Sequence, residues 1–359
     1  MVRLHIWAGV VVITDKLLTV GGSEFFVYVA SNLADSITTI DASNPRNFLE
    51  LDSLTGVSFN DAYSVVIDID NSLAYVGSFN GRRITSVDIS DPINLVELDS
   101  LSIDGTTSVS LDVVNQVAYT TSQISDSITS IDVSDPNNLV ELDSYVNATS
   151  LNSADRHAID VTNQVAYVAA FSGDAITSID ISNPSNLVEL DSYSSTSLDG
   201  AISLALDVSG QVAYVACFSA NSITSIDISN PSNLVELDSF TSTNLNSAVD
   251  VALDVVNQVA YVLSTGTDSI TSIDISNPSS LVELDSYSSA NLNSPQEVAL
   301  DLNKQIAYVA SATSDSITSI DISNPNNLVE LGSYSSTNLN GARGLALPVL
   351  GPAATNAHE

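Results

Sequence analysis

Ser222-Ile-Thr-Ser-Ile-Asp-Ile-Ser-Asn-Pro231 is a string that recurs, with small changes, along the whole chain. The closing prolines are Pro45, Pro92, Pro136, Pro184, Pro231, Pro278 and Pro325, separated by 47, 44, 48, 47, 47 and 47 residues. A period of about 40 to 50 residues, rich in β-branched side chains and interrupted by turns, is typical of β-propellers. Helical repeats would need a 3.6-residue apolar periodicity, which the sequence lacks. The repeat therefore predicts an all-β, seven-bladed propeller.

One full unit, residues 211–255, contains the four strand-like segments that a propeller blade requires. These segments are Val212–Ala216, Ser222–Ile228, Leu234–Ser239 and Asp250–Val255. The polarity of the third segment favours the outermost place in the blade. Seven cycles counted from the strand at Tyr28 end at residues 344–349. We therefore expect residues 26–349 to form the propeller, with the last strand completing the first blade and closing the ring.

Acidic residues that recur in every unit are predicted to be structural. Asp227 precedes a Ser-Asn-Pro turn, where such side chains bond nearby backbone amides. Glu236 and Asp238 lie on one face of the predicted outer strand, where we expect them to protect an exposed edge from pairing with other chains. A Ca²⁺ site is the weaker alternative, because no loop has the acidic density of a dedicated calcium site. No other metal or cofactor is predicted.

Two segments lie outside the predicted ring. Residues 1–25 form an N-terminal extension that contains a strand candidate at Val10, Val11, Val12 and Ile13, and residues 350–359 form a C-terminal tail. The extra strand has no vacant place in a closed ring. Either it packs on its own subunit, where it would displace the C-terminal strand of the ring, or it adds to the sheet edge of a neighbouring subunit, which would join subunits into a homopolymeric filament.

The charge of the chain limits its partners. The sequence holds 43 Asp and Glu against 8 Lys and Arg, a formal net charge of −35. Such a surface repels the phosphates of nucleic acids and anionic lipids, so neither nucleic acid binding nor membrane insertion is expected. The remaining candidates are self-association, another surface protein or a glycan. The single cysteine, Cys217, excludes an internal disulfide.

Positions that differ between repeats are predicted to share one face of the propeller, which is the candidate binding surface. Its residues are Asp61, Tyr63, Arg82, Arg83, Thr107, Arg156, His157, Asp250, Gln296, Glu297 and Arg343. His157 and the nearby Ser153 could act as base and nucleophile, but no third group orients the histidine and no Gly-x-Ser-x-Gly turn is present. The sequence therefore favours a protein without catalytic residues.

Three strings carry a family resemblance: Val212-Ala-Tyr-Val-Ala, Ser225-Ile-Asp-Ile-Ser-Asn-Pro-Ser-Asn-Leu-Val and Leu237-Asp-Ser-Phe. They resemble the LVIVD repeat of surface-associated β-propellers from bacteria and archaea, over roughly residues 26–349. That resemblance implies an extracellular or cell-surface protein without a defined catalytic activity.

Three functions remain open at this point. The leading hypothesis is a non-enzymatic, exported structural or interaction protein, as a filament subunit joined through its N-terminal strand. The first alternative is a monomeric surface propeller that binds a ligand or glycan, and the second is a propeller hydrolase or lactonase. Asn147-Ala-Thr149 matches the acceptor pattern for N-glycosylation, which would suit an exported protein.

Overall fold

The computed structural model describes residues 25–348 without interruption, together with the backbone of three short strands, His5–Trp7, Val10–Val12 and Ala354–Thr355. Within residues 25–348 the chain forms seven antiparallel sheets of four strands each, arranged as the blades of a propeller. The predicted all-β, seven-bladed architecture is confirmed. The helical elements of these residues are single 3₁₀ turns at Val57–Phe59, Thr196–Leu198, Thr243–Leu245, Ala290–Leu292 and Thr337–Leu339. In the described part of the chain, no helix has the length and apolar character to cross a bilayer.

Each blade runs from an inner strand at the central channel to an outer strand at the rim. From blade 1 to blade 7, the inner strands are Ala342–Ala346, Ala62–Asp68, Thr106–Asp112, Ala154–Asp160, Ala201–Asp207, Ala248–Asp254 and Pro295–Asp301. The second strands are Phe26–Ser31, Leu73–Ser78, Val117–Ser122, Val165–Ala170, Val212–Cys217, Val259–Ser264 and Ile306–Ser311. The third strands are Ser36–Asp41, Arg83–Asp88, Ser127–Asp132, Ala175–Asp180, Ser222–Asp227, Ser269–Asp274 and Ser316–Asp321. The outer strands are Leu49–Thr55, Val96–Ser102, Val140–Val146, Val188–Ser194, Val235–Thr241, Val282–Ser288 and Val329–Ser335.

The ring closes within blade 1, as the repeat count predicts. The inner strand Ala342–Ala346 comes from the end of the propeller sequence and pairs with Phe26–Ser31 from its beginning, with Tyr28 opposite Ala346. Ring closure gives Phe26–Ser31 a partner on its channel side, so that this strand is not left as an open sheet edge. The first and last strands of the propeller sequence are therefore joined in one sheet.

The apolar core lies between adjacent blades. A cluster between blades 5 and 6 joins Tyr214 and Ile223 to Val251, Val262 and Ile273, all fully or almost fully buried. Burying each such side chain contributes about 1.5–3 kcal/mol relative to leaving it exposed. Because every blade packs on two neighbours, each third strand buries an Ile or Val on both faces, as Ile223 and Ile226 do in blade 5, and small Ser and Thr residues lie beside them.

The carboxylates of the outer strands bind neighbouring blades, which corrects the expectation that they chiefly protect an open edge. Asp238 Oδ2 accepts a hydrogen bond from the backbone nitrogen of Leu281 in the next blade at 2.8 Å. Glu236 Oε2 accepts one from Ser195 Oγ in the preceding blade at 2.8 Å. Asp227 accepts from the backbone nitrogen of Ser229 at 2.8 Å, which confirms its structural part in the turn.

The N-terminal strand has a partner close to it in the sequence. Val10–Val12 pairs in antiparallel fashion with His5–Trp7, with Val11 opposite Ile6, whereas Ile13 lies outside the described residues. At the other end of the chain, Ala354–Thr355 pairs with Leu253 and Asp254 on the inner strand of blade 6.

Candidate active site

A β-bulge interrupts every inner strand near its start. In blade 5, Ala201 pairs with Cys217 and Ser203 with Ala216, which leaves Ile202 without a partner residue on the second strand. The unpaired second residues of the inner strands are Arg343, Tyr63, Thr107, Asp155, Ile202, Val249 and Gln296, and in blade 4 Arg156 is unpaired as well. Bulges redirect side chains away from the regular alternation of a strand, and they are frequent next to active sites. Here the bulges bring side chains from six of the seven blades to the same end of the channel, whereas Thr107 of blade 3 is buried and donates to the backbone oxygen of Asp155.

The turn before each bulge has a left-handed backbone. Asp61 has φ 57° and Gly200 has φ 69°, each directly before an inner strand. At Gly200 a Cβ atom would lie 2.8 Å from the backbone nitrogen of Ser219, so the close approach of the next hairpin favours glycine there. The local turn chemistry therefore fixes where each bulge begins.

The bulged residues line a cavity of about 320 Å³ at this end of the channel. The residues that line it are Tyr63, Gln123, Asp155, Arg156, Phe171, Ile202, Phe218, Val249, Gln296 and Arg343. Six of them occupy the bulge position. Gln123, Phe171 and Phe218 each follow the last residue of a second strand. A volume in this range suits a small organic ligand.

Arg156 is held rigidly at the cavity by two carboxylates. Its Nη1 lies 2.7 Å from Asp250 Oδ1 and 3.6 Å from Glu297 Oε2, and its Nη2 donates to the backbone oxygen of Gln296 at 2.9 Å. Asp250 also accepts from Ser203 Oγ at 2.7 Å and from the backbone nitrogen of Val298 at 2.8 Å. Burial lowers the pKa of Arg156, but the surrounding carboxylates more than offset this and keep it cationic.

Asp155 is a buried carboxyl group that faces the same cavity. Gln123 Nε2 donates to its Oδ2, and Thr107 Oγ1 donates to its backbone oxygen at 2.8 Å. Burial raises the pKa of Asp155 to about 6, although Arg156, Gln123 and Arg343 all act in the opposite direction. A carboxyl group with such a pKa can exchange protons near neutral pH.

Arg343 supplies a second positive charge beside Asp155. Its guanidinium carbon lies 4.0 Å from the centre of the Tyr63 ring, and that ring packs on Phe79 with 5.4 Å between centroids. The Nε atom of Arg343 is buried and finds no hydrogen-bond acceptor among residues 25–348. At the cavity rim, burial raises the pKa of Asp61 while Arg343 lowers it. Arg343 is therefore a cation with unused hydrogen-bonding capacity.

The structure gathers only part of the residue set that the sequence singles out. Tyr63, Arg156, Gln296 and Arg343 line the cavity, Asp250 and Glu297 support Arg156, and Asp61 lies at the rim. Arg82 instead forms an exposed ion pair with Asp104 at 3.2 Å, and Arg83 approaches Ser100 Oγ at 3.4 Å. These two arginines are absent from the cavity lining because they follow the hairpin that leads into the third strand.

His157 and Ser153 do not form the base and nucleophile that their sequence spacing allows. His157 is fully buried, and its Nε2 lies 2.7 Å from Ser110 Oγ, because the bulge directs residues 155 and 156 into the channel and residue 157 back into the blade packing. Ser153 Oγ bonds to Ser172 Oγ at 2.9 Å. The Asn147 amide nitrogen donates to Glu189 at 3.1 Å, and glycosylation at this position stays a prediction.

Sequence analysis missed Asp155 and its neighbours Gln123, Phe171 and Phe218. A signal was available, because aligning the seven inner strands shows that their second residue is the most chemically varied position. Asp155 stands out there as the only acidic residue among those seven. Across residues 25–348, no three His, Cys, Asp or Glu side chains group in a way that could hold a metal ion.

Comparison with known proteins gives one family match. The profile of the family described as "Lactonase, 7-bladed beta-propeller" matches residues 26–337. A search of curated proteins found no match.

Similar solved structures cover nearly the whole propeller. A candidate 6-phosphogluconolactonase from Bacteroides uniformis has a TM-score of 0.78 at 12% identity, covering 90% of this chain and 99% of that one. The periplasmic gluconolactonase of Pseudomonas aeruginosa has a TM-score of 0.75 at 13% identity, covering 92% and 100%. A functionally unknown protein from Desulfotomaculum acetoxidans has a TM-score of 0.74 at 16% identity, covering 90% and 98%. At such identities these similarities show the fold.

The family match corrects three predictions. The resemblance to the LVIVD repeat family is wrong, because the short strings that suggested it are blade-forming patterns that another propeller family also accommodates. The non-enzymatic reading is wrong as well, since it rested on the absence of a local catalytic motif. The filament hypothesis depended on that interpretation and is therefore wrong too.

Proposed function

Because the chain belongs to the lactonase family of seven-bladed β-propellers, we propose that it is a hydrolase that opens a lactone ring in the cavity at the bulged end of the channel. The observation that carries this proposal is the pairing of Asp155, whose pKa burial raises to about 6, with the guanidinium groups of Arg156 and Arg343 around one cavity. Together they provide a proton acceptor and positive charge, the two components that hydrolysis of an ester bond requires.

In the proposed reaction Asp155 acts as the general base. It takes a proton from a water molecule, whose oxygen attacks the carbonyl carbon of the lactone. The tetrahedral intermediate then collapses, the ring carbon–oxygen bond breaks, and Asp155 returns the proton to the departing alkoxide. The product is an open-chain hydroxy acid, and Asp155 is regenerated in its carboxylate form.

We assign Arg343 to binding the carbonyl oxygen of the lactone, on which negative charge develops during the attack. Its guanidinium is oriented by the Tyr63 ring and has hydrogen-bonding capacity left over among residues 25–348. A donor held at this place lowers the activation barrier, because it stabilises the negative charge that develops on the carbonyl oxygen in the transition state. Arg156 differs, because Asp250 and Glu297 already neutralise it and fix its direction. We assign Arg156 to holding the substrate in place.

The test is hydrolysis of a panel of lactones by the wild-type protein and the Asp155→Asn variant. Asparagine keeps the size of the side chain and can still accept the hydrogen bond from Gln123, but it cannot take up a proton. We expect kcat/KM to fall by at least about 100-fold. The control is Asp70→Asn in an exposed turn, which should retain wild-type activity. Unchanged hydrolysis by Asp155→Asn would contradict the assignment of the base.

The proposed reaction uses side chains alone and needs no metal ion. Activity should therefore survive dialysis against EDTA, and a loss that added Ca²⁺ restores would overturn this part of the proposal.

We further propose that the protein acts outside the cytoplasm. The similar gluconolactonase of Pseudomonas aeruginosa is periplasmic, and a strongly acidic surface suits a protein that works in an open ionic medium. Fractionation of the producing cells, beside a marker enzyme of the cytoplasm, tests this. Recovery with the marker would contradict it.

A further inference from the structure

The cavity of the proposed active site has two chemically different halves. The polar half consists of Tyr63, Gln123, Asp155, Arg156, Gln296 and Arg343. The apolar wall consists of Phe171, Ile202, Phe218 and Val249, and it lies on blades 4, 5 and 6. Phe171 and Phe218 lie with their ring centroids 6.0 Å apart and their planes tilted by 55°. The side chains of the apolar wall carry no hydrogen-bonding group.

The charges around the cavity disfavour a phosphorylated substrate. Four carboxyl groups, Asp61, Asp155, Asp250 and Glu297, surround two cations, and Arg156 is already paired with two of them. Arg343 has a buried Nε atom that finds no acceptor among residues 25–348, and the proposed reaction uses this arginine at the carbonyl oxygen. The net charge of −35 on the chain adds a long-range repulsion toward any dianion.

The apolar wall likewise disfavours a lactone with hydroxyl groups all around its ring. A hydroxyl placed against the wall would give up its hydrogen bonds to water and find no side-chain partner there. An alkyl or aryl group at the same place would leave water for an apolar surface, which strengthens binding by roughly fourfold for each buried methylene. The wall is continuous with the polar half, so one molecule can contact both.

We propose that the substrate is an uncharged lactone with an apolar substituent. The lactone ring lies in the polar half beside Asp155 and Arg343, and the alkyl or aryl substituent lies on the apolar wall. This inference rests on the proposed lactonase function, because it assumes that the ring is the part that reacts.

The experiment compares kcat/KM for lactones that share a six-membered ring. The set is δ-valerolactone without a substituent, δ-decalactone with an alkyl chain, glucono-δ-lactone and its 6-phosphate. We expect δ-decalactone to exceed δ-valerolactone by at least about tenfold, and both sugar lactones to be poorer still. A preference for either sugar lactone would overturn the inference while leaving the lactonase function standing.

A binding measurement separates the two proposals if no lactone is hydrolysed. The probes are the lactams that correspond to δ-valerolactone and δ-decalactone, measured by calorimetry with the wild-type protein. Tighter binding of the alkyl lactam would support the apolar subsite although the lactonase function had failed. Equal or absent binding of the two lactams would overturn the inference.

A double variant tests whether the apolar wall is the part that recognises the substituent. Ile202→Thr combined with Val249→Thr places hydroxyl groups on the wall; the change at Val249 is nearly isosteric, and the change at Ile202 removes one carbon atom. We expect the ratio of kcat/KM for δ-decalactone over δ-valerolactone to fall roughly tenfold. The matched control is Val256→Thr, whose side chain is 74% exposed in a hairpin away from the cavity, and it should leave the ratio unchanged. An unchanged ratio in the double variant would overturn the assignment of the wall.

Discussion

Asp155 combines burial with a cationic neighbourhood, and this combination determines the protonation state in which it works. Burial disfavours the charged form and raises the pKa to about 6, and the positive charges of Arg156 and Arg343 stop it from rising further. His157 lies two residues farther along the strand and does not line the cavity, because its side chain points into the packing between blades. The chemistry at this position is thus set by surroundings that come from several blades.

The first prediction concerns activity. A general base works as the carboxylate, so kcat/KM should rise with pH through a midpoint near 6 and level off above pH 7. Below pH 6 it should fall about tenfold for each pH unit. Initial rates in buffers of constant ionic strength measure this. A flat profile between pH 5 and 7 would be incompatible with Asp155 as the base.

The second prediction concerns stability. Because the pKa of Asp155 is higher in the folded chain than its ordinary value of 3.8, the folded state favours the protonated group. The stabilising effect of protonation is complete below pH 4 and is lost as the pH rises through about 6. Asp155→Asn removes this loss, so the stability of the variant relative to the wild type should rise by about 1 kcal/mol between pH 5 and pH 8. Denaturant titrations at both pH values measure the difference, and equal pH dependence of the two proteins would refute it.

At the level of elements, the outer strands act as connectors between blades. Asp191 Oδ2 accepts from the backbone nitrogen of Leu234 in the next blade at 2.7 Å, and the same bond recurs around most of the ring. Blade 7 has Gly332 at this position, where a Cβ atom would lie 2.9 Å from the backbone oxygen of Pro45. The seam between blades 7 and 1 is therefore packed backbone against backbone.

The third prediction follows from this difference. Asp191→Ala leaves the Leu234 nitrogen without its charged acceptor and should lower the free energy of unfolding by about 2 kcal/mol. Gly332→Ala should also be destabilising, although it removes no hydrogen bond, because its methyl group meets the Pro45 oxygen. Chemical denaturation of both variants and of an exposed control, Val256→Ala, measures the effects. Wild-type stability in Gly332→Ala would show that the seam can relax.

At the level of the whole molecule, the ring must hold together against its own charge. The 43 acidic residues outnumber the 8 basic ones, and this excess favours more expanded states by mutual repulsion. Contacts between blades and the pairing of Ala342–Ala346 with Phe26–Ser31 oppose that repulsion. The balance between the two should depend on ionic strength.

The fourth prediction is a salt dependence of thermal stability. Raising NaCl from roughly 10 mM to 0.5 M at pH 7.5 shortens the screening length several-fold and should raise Tm by at least about 2 °C. The gain should shrink near pH 4, close to the pI of about 4.1, where the net charge is small. Differential scanning calorimetry measures both, and an equal gain at the two pH values would exclude charge repulsion as the cause.

The sequence by itself determined the number of blades, the order of strands within each blade and the closure of the ring. The number of blades and the order of strands follow from local patterns, namely apolar alternation and Asp-x-Ser-Asn-Pro turns, which act between residues close in the chain. The closure follows from counting the repeats, because the last strand is the one that the first blade needs. The same repetition concealed the candidate site, because it suggested a structural role for the acidic residues and left no local catalytic motif to find.

Only the tertiary structure decided which residues form the site. Tyr63, Asp155, Gln296 and Arg343 are spread over 281 positions of the chain and converge because seven bulged strands meet around one channel. The structure also showed that Asp155 faces the cavity and His157 does not, since a bulge changes the direction of a side chain and the local sequence pattern does not indicate it. Convergence at the channel depends on closing the whole ring, which no single stretch of sequence contains.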